Sequence, residues 1–130
     1  MASGSATDPA SASRARRVLV IDDDAEFADT VAAILEAAKL EVLVAYSASD
    51  ALAALDGFIP DVAIVDVRMP IVDGYALLAI FRAEPRLRAC TFVGISGYTS
   101  DDLGEHGFDH FFRKPFDTNT VLSALKIQTH

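Results

Sequence analysis

Chemistry concentrates in a few residues of this chain. Asp22, Asp23 and Asp24 are consecutive, Asp66 follows an apolar run, Ser96 precedes a glycine and Lys114 precedes a proline. Carboxylates brought within a few ångströms raise one another's pKa unless a cation neutralises them. The donors are all oxygen, with no His or Cys among them, which suits Mg²⁺ better than zinc. Mg²⁺ in turn points to phosphate chemistry. Lys114 would supply a point charge and Ser96 a hydroxyl donor for a phosphoryl group, leaving one carboxylate as nucleophile.

These side chains are far apart in sequence, so the fold must assemble them. From Val18 onward, short apolar runs alternate with longer stretches of helical period, the pattern of repeated βαβ units around a parallel sheet. Val18–Ile21 reads as a first strand, and Phe27, Val31, Ile34, Leu35 and Ala38 behind it as the inward stripe of a helix. Glu41–Ala45 reads as a second strand, with Ala51, Leu52 and Leu55 marking a short helix ended by Gly57 and Pro60. Val62–Val65 is apolar throughout and reads as a central strand. Asp73 can cap a helix with Leu77, Leu78 and Phe81 inward, stopped before Pro85. Thr91–Ile95 and Asp109–Phe112 complete five strands, and Val121, Leu122 and Leu125 mark a last helix. Ligands of such sheets bind at the carboxyl ends of the strands. Asp22 and Asp23, Asp66, Ser96 and Lys114 all fall at or just beyond those ends.

Composition narrows the classes. The chain has 130 residues, 52% of them hydrophobic, enough for one domain with its own core. No apolar run approaches the ~18 residues of a membrane span, and no secretory signal opens the chain. The single cysteine, Cys90, excludes an intramolecular disulfide and a thiolate metal cluster, and a reducing cytoplasm is the expected setting. A net charge of −8 opposes direct binding to nucleic acid. Residues 1–16 read as a disordered tail rich in Ala and Ser, and 17–130 as the folded domain. Arg14, Arg16 and Arg17 read as solvated.

The motifs Val18-Leu-Val-Ile-Asp-Asp, Asp66-Val-Arg-Met-Pro70 with Asp73-Gly74, Ser96-Gly97 and Lys114-Pro115-Phe116 occur in this order. With them the chain resembles the receiver domain of two-component response regulators over Arg17 to Ile127. The resemblance implies an α/β, doubly wound, five-stranded parallel sheet of flavodoxin-like order 2-1-3-4-5. It implies that Asp66 accepts a phosphoryl group from a phosphohistidine on a histidine kinase or histidine phosphotransfer protein. It further implies Mg²⁺ bound through Asp23, Asp66 and the backbone carbonyl of Arg68, with Asp22 acting mainly through water. Lys114 and Ser96 would hold the phosphoryl oxygens. Ser96 and Phe111 would be the switch pair, and the bond before Pro115 would be cis.

Two departures from the family stand out. Tyr98–Gly107 has a single aliphatic residue, Leu103, so the helix between the fourth and fifth strands, the family's fourth helix, is expected to be short or missing. Arg68 and Tyr98 are bulky where similar receivers control water access to the aspartyl phosphate, which implies slow self-hydrolysis.

Other readings of the same residues stay open. The acidic triplet also suits the start of a helix, and Asp73-Gly74 a structural turn. Phe108, Phe111, Phe112 and Phe116 suit a core cluster, His106, His110 and His130 surface positions, and Cys90 a small buried hydrophobe. At the level of function, a degenerate receiver could act as a constitutive protein-interaction module. A Mg²⁺-dependent phosphohydrolase would share the aspartyl nucleophile and lysine, but it needs a substrate-selecting cap that no insertion here could build. No effector follows the last helix, so the chain reads as a stand-alone receiver.

Overall fold

The computed structural model describes residues 16–69, 73–97, 107–114 and 118–129. In chain order the elements are β1 (Arg17–Ile21), α1 (Ala25–Ala37), β2 (Glu41–Ala45), α2 (Ala48–Ala54), β3 (Val62–Asp66), α3 (Gly74–Arg82), a 3₁₀ turn (Pro85–Leu87), β4 (Thr91–Ser96), β5 (His110–Arg113) and α4 (Thr118–Thr129). The strands pair in parallel in the order β2-β1-β3-β4-β5. That is the doubly wound order implied by the motifs.

Burial explains why the strands read as they do. β3 is central and buried along its whole length, so both of its faces are apolar. On one face of the sheet Leu19, Ile21, Ala63, Val65 and Phe92 pack with Leu77, Leu78 and Phe81 of α3 and Ala48 and Ala51 of α2. On the other, Val18, Val20, Val62, Ile64, Val93 and Ile95 pack with Ala28, Val31 and Leu35 of α1 and Val121 of α4. The Phe81 and Phe92 rings, both buried, meet at 6.2 Å between centroids.

Side-chain caps start α1, α2 and α3. The side chain of Asp24 accepts the Phe27 N–H (3.1 Å), Ser47 that of Asp50 (3.1 Å) and Asp73 that of Ala76 (2.9 Å). α1 ends with Lys39 in the left-handed region (φ 74°). The Lys39 N–H reaches the Glu36 carbonyl at 2.9 Å, and the Leu40 N–H that of Leu35 at 3.2 Å.

Several expectations shift in detail. The buried stripe of α1 is Ala28, Val31, Ala32 and Leu35, which leaves Ile34 to one side and 39% exposed. Leu52 is likewise 37% exposed, because Ala48 and Ala51 face the sheet. β3 and β4 each run one residue further than their apolar runs, so that Asp66 and Ser96 belong to the strands. β5 begins at His110, while Asp109 joins it to β4: its N–H donates to the Phe92 carbonyl and its carboxylate accepts the Phe92 N–H, both at 2.8 Å. From α3, Arg82 donates to the Gly107 carbonyl, pairs with Asp109 at 3.5 Å and lies over the Phe92 ring, which ties the entry of β5 to the helix.

Among the described residues there are four α-helices, none between β4 and β5, and none is long and apolar enough to cross a membrane. Residues 98–106, where the shortened helix is expected, lie outside the described residues, as do Tyr98, His106, Pro115, His130 and all of the 1–16 tail except Arg16.

Candidate functional site

Parallel register brings the polar residues to one edge. Ile21 pairs with Val65, Asp66 with Ile95, and Ser96 with Arg113, so the residues at the carboxyl ends of β1, β3, β4 and β5 rise together. The pairing continues past the strands: the Asp22 N–H donates to the Ala45 carbonyl (3.1 Å), Val67 to Ile95 (2.9 Å) and Lys114 to Ser96 (2.7 Å). These bonds fix the backbone on which the charged side chains stand.

Asp22 is wholly buried. Its Oδ1 accepts the Asp24 N–H at 2.9 Å, and its Oδ2 lies 2.8 Å from the Lys114 ammonium. Asp66 is 4% exposed. Its Oδ1 accepts the Arg68 N–H at 3.0 Å, and its Oδ2 lies 3.9 Å from Lys114 Nζ. Asp23 is exposed at the rim, and each of the three aspartates offers an oxygen within 4.8 Å of the other two.

The electrostatics follow from that crowding. Burial pushes the Asp66 carboxyl up to about 7, and the neighbouring Asp22 carboxylate pushes the same way. The Arg68 N–H and the Lys114 ammonium oppose them without cancelling them. Among the described residues one lysine thus faces two buried carboxylates and a third at the rim, so the acidic groups of this cluster outnumber its ammonium. Asp22 Oδ2, buried, has the lysine's charge beside it but no hydrogen bond among the described residues. An all-oxygen acidic cluster with such an atom fits a hard divalent cation.

Ser96 is fully buried at the end of β4, and among the described residues its hydroxyl makes only a long 3.5 Å contact to the Gly97 carbonyl. Phe111 is half-buried on β5, opposite Gly94. A Cβ at Gly94 would lie 2.7 Å from Phe111 Cδ1 and 2.8 Å from Phe108 Cδ2, so the glycine opens the slot that both rings occupy. Phe108 also meets Phe111 and Tyr75, at 6.0 and 5.8 Å between centroids. Cys90 is buried, and desolvation pushes its thiol up to about 12, which makes it an inert small hydrophobe. His110 lies half-buried on β5, away from the acidic cluster.

Two neighbours of the site escape a reading by residue type. Phe27, placed by periodicity in the core stripe of α1, sets its ring centroid 4.3 Å from Lys114 Nζ. Gly74, the first residue of α3, lies so close to β3 that a Cβ there would fall 2.5 Å from both the Asp66 carbonyl oxygen and Val67 Cα. The Asp73-Gly74 pair marked that second position as a turn, and here the turn presses on the backbone of Asp66.

Comparison with known proteins agrees with this fold. The response regulator receiver domain family matches residues 18–126. Protein PilG of Pseudomonas aeruginosa is 28% identical over 116 residues, covering 85% of this chain and 84% of PilG. Response regulator Rre1 of Synechocystis is 33% identical over 114 residues, covering 84% of this chain but 49% of Rre1, so the chain spans about half of that protein. The CheY-like receiver domain of Methylobacillus flagellatus superposes with a TM-score of 0.80 at 28% identity, covering 90% of this chain and 100% of that one. The family match spans most of the chain, the solved receiver domain superposes over nine-tenths of it, and the chain belongs to the response regulator receiver domain family.

Proposed function

We propose that Asp66 is the phosphoacceptor of this receiver and takes a phosphoryl group from a phosphohistidine on a histidine kinase or histidine phosphotransfer protein. The observation that carries the reading is the Lys114 ammonium, placed 2.8 Å from Asp22 and 3.9 Å from Asp66 beside a cluster of three aspartates. A carboxylate oxygen of Asp66 would form the new P–O bond as the P–N bond of the donor breaks and the imidazole leaves. Lys114 would leave its contact with Asp22 to meet a phosphoryl oxygen, and the buried Ser96 hydroxyl would donate to another. Asp23, Asp66 and the Arg68 carbonyl, with Asp22 behind them, would hold Mg²⁺, which when bound neutralises the carboxylates and the incoming phosphoryl charge.

Movement of Ser96 toward the phosphoryl group would draw Phe111 deeper into its slot, biasing a two-state equilibrium read by protein partners. A receiver supplied by such phosphodonor proteins would work in the cytoplasm. The test is the intact mass of the chain after incubation with phosphoramidate and Mg²⁺, wild type against Asp66→Asn. One added phosphoryl mass that requires Mg²⁺ and is lost in the variant is expected. No adduct on a protein shown to bind Mg²⁺ would favour a degenerate receiver that acts as a constitutive interaction module.

A further inference from the structure

The first turn of α1 brings an aromatic ring to the site's only described lysine. The Phe27 centroid is 4.3 Å from Lys114 Nζ, inside the ~6 Å at which a ring face attracts a cation. The residue's backbone is anchored through the acidic triplet, and its side chain packs against the core on that face of the sheet. Asp24 caps α1 by accepting the Phe27 N–H at 3.1 Å, and its own N–H donates to Asp22 Oδ1 at 2.9 Å. Asp22 closes the circuit by meeting the same ammonium at 2.8 Å through Oδ2. Asp24 therefore has a place in the site although it is not among the aspartates that could share a cation.

A lysine ammonium on a flexible stem needs something to hold it between partners. A carboxylate would do so by adding negative charge to a cluster that already has a surplus. A ring face attracts the cation without adding net charge, offers no ligand to a metal ion and does not compete for the ammonium's hydrogen bonds. We propose that Phe27 is a positioning residue for Lys114, its ring face holding the ammonium where it passes from Asp22 to the incoming phosphoryl oxygen. The proposal rests on the phosphoacceptor reading of Asp66.

The test uses the full chain with Phe27→Leu, Phe27→Trp and a series of ring-fluorinated phenylalanines at position 27. The rate of Asp66 phosphorylation is followed by intact mass with phosphoramidate and Mg²⁺. Phe27→Leu should slow it about three- to tenfold, Phe27→Trp should keep or raise it, and each added fluorine should lower it further while the thermal midpoint stays put. Fluorination changes the ring's electrostatics at nearly constant shape, so a role in packing alone would leave the series flat, and a flat or rising series overturns the proposal. In a second measurement, lysine ¹³C-labelled protein should show the Lys114 ε-methylene protons shifted upfield by the ring and restored in Phe27→Leu. No shift overturns the contact itself. A wild-type protein that shows the shift but takes no phosphoryl group overturns the phosphoacceptor reading and leaves the contact standing.

Discussion

Gly74 stands against the backbone of Asp66, at a distance where its missing β-carbon would lie 2.5 Å from the Asp66 carbonyl oxygen. Its own N–H donates to the Val67 carbonyl at 3.2 Å, and the Asp73 cap next to it starts α3. The contact is backbone on backbone, so no side-chain rotation relieves an added methyl. Gly74→Ala should therefore move the start of α3 away from β3, destabilise the domain by about 1–3 kcal/mol in urea unfolding, and slow phosphorylation of Asp66. An unchanged unfolding midpoint and rate would show that α3 can retreat freely.

The second prediction concerns pH and metal. Asp66, raised to about 7 in the fold, has an ordinary carboxylate pKa when the chain is unfolded. The folded protein therefore binds a proton here that the unfolded chain releases, and this contribution to stability is full below about pH 4 and lost as pH rises through about 7. In metal-free protein, wild type should lose ~1–2 kcal/mol relative to Asp66→Asn between pH 4 and pH 8, solvent screening at this partly open site removing the rest. Mg²⁺ and protons compete for the same oxygens, so Mg²⁺ should raise the thermal midpoint of wild type more at pH 8 than at pH 5. Thermal melts of both proteins across pH, with and without Mg²⁺, measure both effects.

The slot over Gly94 makes a third prediction. Gly94→Ala should cost about 1–3 kcal/mol by driving its new methyl into the Phe108 and Phe111 rings. Combining it with Phe108→Ala, which vacates part of the slot, should cost less than the two single changes together. Additive costs in urea unfolding would mean that the rings do not share that space.

Helix α1 offers a fourth. Lys39 holds a left-handed conformation at the end of the helix, where glycine pays no steric penalty. Lys39→Gly should stabilise the domain by about 0.5–1 kcal/mol, less than the full strain because the unfolded chain also gains freedom. The site should be unaffected, so the phosphorylation rate serves as the control.

Much of the molecule was legible in its residues because the relevant information is local. Apolar runs bounded by turn residues locate the five strands, Asp73 announces α3, and a charged or polar residue just past an apolar run marks a strand end. With the motifs, that was enough for the order of the sheet and for the edge where Asp22, Asp66, Ser96 and Lys114 meet. Periodicity is less reliable at the margin of a stripe, where a small angular offset decides exposure, and Ile34 and Leu52 turned outward for that reason. The tertiary structure alone decided what depends on distances between separate elements. It set Asp22 wholly inside against Lys114, the Phe27 ring beside that ammonium, Gly74 on the backbone of Asp66, and two rings in the space over Gly94. A residue's type limits the contacts it can make, but which neighbour it meets depends on sheet register and helix packing, and these form only when the whole chain closes around its core.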